Sequence, residues 1–179
     1  MLRKLILIGC SLGIVFTGDA QNRKKKKNTA PGATQTSGID YKQQGAPLPP
    51  VRFFNQDGKY ITNKTLDNKA NLFLMLFNPT CEHCEEQTIL FKDNIHLFKN
   101  TKIVLVAGPA MGPYLEYFVN TTKISGFPSI QLTLDSSNYI EQTYHYSSLP
   151  QLNIYDADRK LLRTFNGSVP LDTLRQYIQ

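Results

Sequence analysis

Residues 71–87 read NLFLMLFNPTCEHCEEQ, and their reading decides the fold. Within the first seven, Leu72 to Phe77 form an unbroken apolar run, as expected of a strand buried on both faces. The run passes through Asn78, Pro79 and Thr80 into Cys81, with Cys84 three positions on. From there Cys84, Thr88, Phe91, Ile95 and Phe98 fall at alternating spacings of four and three, which marks a helix with one core-facing stripe. Cys81 therefore stands where a buried strand gives way to a helix. Unpaired backbone N–H groups and the positive end of the helix dipole favour an anion there, so a Cys81 thiolate is stabilised. Cys84 returns to the same helical face, within reach of a mixed disulfide formed at Cys81.

The pattern continues on both sides. Upstream, Val51, Phe53 and Phe54 suggest a short strand, Asp57-Gly58 a turn, and Tyr60-Ile61 a returning strand. Downstream, KIVLVAG at 102–108 is a second buried strand, and residues 111–122, with Met111, Leu115 and Phe118, a second helix. Residues 126–146 give no clear pattern. Then LPQLNIYDADRKLLRTF reads as two strands around a turn at Asp156–Arg159, and PLDTLRQYI as a closing helix started by Pro170. Strands alternating with helices, then a hairpin and a final helix, predict an α/β fold with a central mixed sheet flanked by helices.

The first twenty residues carry basic Arg3 and Lys4, an apolar stretch from Leu5 to Phe16, and small residues Gly18 and Ala20. That is the layout of a cleaved signal peptide over 1–20, and the stretch is short of the roughly 20 apolar residues that span a bilayer. The expected location is outside the cytoplasm, in the periplasm; a lipoprotein anchored at Cys10 within LIGC, or an uncleaved anchor, is the lesser alternative. Residues 21–46 are polar and lack apolar periodicity, so they read as a flexible basic linker, leaving 47–179 as the folded domain. The net charge of +6 is concentrated in that linker, where six Lys and Arg face one Asp. Residues 47–179 carry twelve basic and twelve acidic side chains, so the domain itself is neutral and no nucleic-acid partner is expected. The run Lys24–Lys27 fits weak contact with an anionic membrane surface.

Removing the signal leaves Cys81 and Cys84 as the only cysteines, which excludes a domain stapled by several bridges. One CxxC supplies too few ligands for a zinc site, and His83, His96 and His145 show no paired ligand spacing, so neither metal nor cofactor is expected. The strand, CxxC and helix in this order resemble the thioredoxin superfamily across residues 47–179. FLMLFNPTCEHC, the preceding GKYI and the later LPQLNIYDADRKL are similar to exported TlpA/ResA-type redoxins. The resemblance implies a thioredoxin-like thiol-disulfide oxidoreductase: Cys81 attacks, Cys84 resolves, and a cis proline beside them shapes the groove for the client peptide. Protein thiols and disulfides would be the substrates, with an upstream dithiol as electron donor. Pro128 and Pro150 both offer a match; the strand, turn, strand and helix after Pro150 favour it, and Leu149 then lies against the substrate.

Two departures from the resemblance stand out. Thr80 occupies the position before the first cysteine where many relatives have Trp, and Met75 stands where thioredoxin buries an acid, so the proton acceptor for Cys84 is unassigned between solvent-facing Glu85 and Glu86. Glu82 and His83 are expected to tune the site. An imidazole before the second cysteine, as in DsbA, stabilises the thiolate and raises the potential, whereas Glu82 opposes it. An intermediate value is predicted, between about −270 mV for thioredoxin and about −120 mV for DsbA. The direction of exchange stays open, with reduction favoured by the resemblance. The rival reading is a redox-silent binding or adaptor domain with a structural Cys81–Cys84 disulfide.

Overall fold

The computed structural model describes residues 38–178. The signal peptide and the basic run expected at the N-terminus lie outside the described residues. In chain order the elements are β1 (Arg52–Asn55), β2 (Tyr60–Thr62), α1 (Asn63–Leu66), β3 (Leu72–Leu76), α2 (Glu82–Asp93), α3 (Ile95–Phe98), β4 (Lys102–Ala107), α4 (Leu115–Thr122), β5 (Ile130–Leu134), α5 (Tyr139–Tyr144), β6 (Gln151–Tyr155), β7 (Leu161–Asn166) and α6 (Leu171–Leu174). Seven strands form one sheet in the order β2-β1-β5-β4-β3-β6-β7. β3, β4 and β5 run parallel, while β1, β6 and their outer neighbours pair antiparallel. The expected α/β architecture with a central mixed sheet is present.

Every residue of β3 is buried, because it sits in the middle of the sheet with helices on both sides. Alternation along the strand sends Phe73, Met75 and Phe77 to one face and Leu72, Leu74 and Leu76 to the other. The first face packs on α2, α3, α4 and α6, through Phe91, Phe98, Phe118 and Leu174. Phe73, Phe91 and Phe98 meet edge to face, with ring centroids 5.5–6.2 Å apart. On the second face Ile140 and Tyr144 of α5 join Val104, Val106 and Tyr155, and the Tyr144 and Tyr155 hydroxyls bond to each other.

Five expectations change. The single helix predicted through Phe98 breaks at Asn94, whose φ of −111° and ψ of 19° leave the helical region. Its side-chain amide donates to the Leu90 carbonyl at 2.9 Å, offering the backbone an alternative to the next turn. The second predicted helix begins as a 3-10 segment at Pro109–Tyr114, because Pro113 lacks an N–H, and becomes α-helical only from Leu115. The unpatterned stretch 126–146 holds β5 and α5. The closing helix is brief, continuing past Leu174 as one 3-10 turn, and Pro170 caps it. Gly45 donates to the Leu161 carbonyl and Leu161 to that of Ala46, both at 2.8 Å. Two residues assigned from sequence to the linker thus pair with the sheet edge.

The β6–β7 turn is secured by Arg159. With φ at 59°, this residue is left-handed, and its half-buried guanidinium donates to the carbonyls of Ala70 (2.7 Å), Asp156 (2.8 Å) and Leu66 and to Asn68 Oδ1 (2.8 Å). Hydrogen bonds from a charged donor contribute more than neutral ones, and their loss strands several acceptors. Arg159→Ala is expected to destabilise the domain by about 2–3 kcal/mol, measured by chemical denaturation.

Candidate active site

The site forms where β3 and β6 present the same end of the sheet. These strands are antiparallel neighbours with Leu76 opposite Gln151, so the segment leaving β3 and the segment entering β6 meet. Phe77 donates its N–H to the Val106 carbonyl at 3.1 Å, extending the order of β3 toward the cysteines. Asn78 then organises the turn: its Oδ1 accepts from Thr80 N–H at 2.9 Å and from the Thr80 hydroxyl at 3.0 Å. Its carbonyl accepts from Cys81 N–H at 3.1 Å. Thr80, where a bulky ring was noted as missing, is exposed and bound into this turn.

Cys81 is the N-cap of α2, with φ of −98° and ψ of 115°, and its carbonyl accepts from the N–H groups of Cys84 (2.9 Å) and Glu85 (3.1 Å). Both cysteines are free thiols. Cys81 is partly exposed, while Cys84 is fully buried among Phe73, Met75, Phe77 and Phe91. One sulfur meets solvent and the other faces the core. The Thr88 hydroxyl donates back to the Cys84 carbonyl at 2.8 Å.

Burial pushes the Cys84 thiol well above its ordinary range, and the neighbouring Cys81 and the charge of Glu85 add to the shift. A backbone N–H from Asn78 opposes it. The raised value means that the folded, reduced protein holds this proton more tightly than the unfolded chain does. Stability is therefore constant below the unfolded pKa of about 8.5 and falls as pH rises above it. Reduced protein should lose about 1.4 kcal/mol between pH 7.5 and 9.5 on this account, and denaturation of Cys84→Ala over the same range should lack that loss.

The other expected residues divide. Leu149 and Pro150 do come to the cysteines: the Leu149–Pro150 peptide bond is cis, and the Leu149 carbonyl lies 4.0 Å from Cys81 Sγ. Pro128 does not take that form. Glu82 and His83 are both exposed on the first turn of α2, and His83 Nδ1 turns to Glu86 Oε2 at 3.2 Å. Glu86 thereby has a partner that spacing alone did not suggest. Met75 is fully buried in the core that encloses Cys84, so no acid lies at that position. Among the described residues there is no cluster of three or more His, Cys, Asp or Glu side chains able to hold a metal ion.

One residue of the site was passed over in the sequence. Gln87 lies three positions after Cys84 on the stripe-bearing side of α2, is 2% exposed, and accepts from Val169 N–H through Oε1 at 2.6 Å. Its polarity beside the otherwise core-facing positions Cys84, Thr88 and Phe91 was the available signal.

No family model matches the chain, and no curated protein matches it. Solved structures do. A thioredoxin domain of a thiol-disulfide oxidoreductase from Bacteroides vulgatus is 12% identical, with 76% of this chain and 99% of that chain covered at a TM-score of 0.63. StoA from Bacillus subtilis is 17% identical, with 74% and 98% covered and a TM-score of 0.59. A secreted Mycobacterium tuberculosis disulfide oxidoreductase homologous to Escherichia coli DsbE is 16% identical, with 72% and 93% covered and a TM-score of 0.59. At such identities the likeness is one of architecture, and it agrees with the strand order and the dithiol helix: the chain has the thioredoxin fold.

Proposed function

We propose that this protein is an exported thiol-disulfide oxidoreductase that exchanges disulfides with client proteins through Cys81 and Cys84. The observation that carries the reading is the asymmetry of the pair. A partly exposed sulfur caps α2 beside the Leu149 carbonyl, and a buried sulfur lies one turn further along the same helix. That geometry supports one attacking and one resolving thiol.

In the reductive direction, the Cys81 thiolate attacks a client disulfide, forming a mixed disulfide and releasing one client thiolate, which takes a proton from solvent. Cys84 then loses its proton and attacks the Cys81 sulfur, forming the intramolecular disulfide and releasing the second client thiolate. The client gains two electrons and the dithiol loses two. An upstream dithiol donor returns them. Leu149 and Pro150 would line the docking groove, while Glu82 and His83, with His83 drawn toward Glu86, would set an intermediate potential. Reduction is favoured over oxidation or isomerisation by the resemblance to TlpA/ResA-type proteins. The secreted relative from Mycobacterium tuberculosis supports placement outside the cytoplasm.

The decisive test is Cys84→Ser expressed in the native compartment. It is expected to accumulate client proteins as mixed disulfides on Cys81, visible as reductant-sensitive bands by non-reducing electrophoresis. An accessible, unmodified Cys81 that traps no client would instead support the redox-silent adaptor reading.

A further inference from the structure

We infer that Gln87 is a positioning residue that sets the spacing between the two walls of the exchange groove, the dithiol helix and the Leu149–Pro150 segment. This deepens the proposed exchange function and rests on it. The contacts run in a closed circuit. On α2, Gln87 follows Cys84 by one turn, and its Oε1 accepts from Val169 N–H at 2.6 Å across 82 positions of sequence. Two residues before Val169, Gly167 donates its N–H to the Pro150 carbonyl at 2.8 Å. The preceding carbonyl, of Leu149, stands 4.0 Å from Cys81 Sγ at the start of the same helix. The loop between β7 and α6 thus bridges helix and groove wall, and Gln87 is its attachment to the helix.

The chemistry of the side chain argues for this role. Gln87 Nε2 is buried without a hydrogen-bond partner. A buried unpaired amide donor is costly, and an apolar residue of the same length would fill the position without that cost. The benefit of glutamine here lies in its acceptor, which holds a backbone N–H that a methionine would leave unsatisfied. Gly167 has φ of 87°, a conformation open to glycine, so the loop can turn to offer N–H groups to both Pro150 and Gln87. Reactive groups misplaced by about 1 Å can lose on the order of 100-fold in rate, so a relaxed groove should matter to a client that must dock along it. A small disulfide needs only the sulfur.

The test compares insulin, a protein disulfide, with oxidised glutathione as substrates of the full domain. Gln87→Met is expected to lower kcat/KM for insulin about tenfold while leaving the glutathione rate within about twofold, and to remove hydrogen-exchange protection at the Val169 amide. Gln87→Glu retains the acceptor and should keep the ratio of the two rates within about threefold of wild type. Arg159→Ala, destabilised far from the groove, should keep that ratio. Should Gln87→Met fail to fold, Gln87→Asn, one methylene too short to reach Val169, replaces it. A folded Gln87→Met or Gln87→Asn with an unchanged ratio, or with both rates falling together as in a merely destabilised protein, would overturn the inference. Wild-type protein inert toward both probes would overturn the exchange function itself, a result distinct from an active wild type with an insensitive ratio.

Discussion

Cys81→Ser is expected to reduce disulfide exchange to background, a loss on the order of a thousandfold or more, as follows when a covalent nucleophile is removed. The reason lies in the division of exposure. Cys84 is fully buried and its thiol is held protonated by burial, so it cannot substitute for its neighbour at the surface. Serine at 81 keeps the size and the N-cap position, and an oxygen there is a good helix cap, so α2 should persist unchanged. Stability and activity therefore separate in this variant. Insulin reduction read by turbidity, alongside a denaturation curve equal to that of wild type, checks both halves. Retention of exchange by the folded variant would refute the assignment of Cys81 as nucleophile.

Phe91→Ala carries the largest expected loss of stability, about 3–5 kcal/mol from lost burial and the cavity left behind. Phe91 is fully buried and joins Phe73 of β3 to Phe98 of α3 through edge-to-face contacts at 6.2 and 5.6 Å. Such aromatic pairs add to the area term, so its removal loosens the helix that carries both cysteines from the strand that positions them. Domains of this size hold about 5–15 kcal/mol in all. The melting temperature should fall by roughly 10–20 °C. A drop of under 1 kcal/mol by chemical denaturation would mean that α2 is fastened elsewhere.

The legibility of the sequence follows the length scale of the force that shapes each part. β3 was readable because a strand buried on both faces favours apolar side chains at every position, here from Leu72 to Phe77. The helix after Cys84 was readable from its stripe, but not its break, since Phe98 keeps its core contacts on either side of Asn94. β5 and α5 were hidden for opposite reasons. The strand is five residues long with Gln131 and Thr133 inside it, and the helix is six residues bounded by left-handed Asn138 and His145, whose conformation no local pattern announces. Gln87 was missed because its partner, Val169, is brought to it by the sheet and not by the chain. The same holds for Gly45 and Ala46, whose place in the fold depends on Leu161. The pairing of Leu149 with Cys81 was anticipated only through the resemblance, which chose Pro150 over Pro128 by the strand, turn, strand and helix that follow it.

The antiparallel pairing of β3 with β6, Leu76 opposite Gln151, has a consequence for how such a protein diverges. The segments leaving β3 and entering β6 are brought together by backbone register, so side chains around them can vary while the meeting point holds, provided that neither strand gains or loses a residue. A length change is ruinous between Leu72 and Cys81 or between Pro150 and Tyr155. Solved structures of the same architecture are only 12–17% identical to this chain, so the architecture does not depend on its particular side chains.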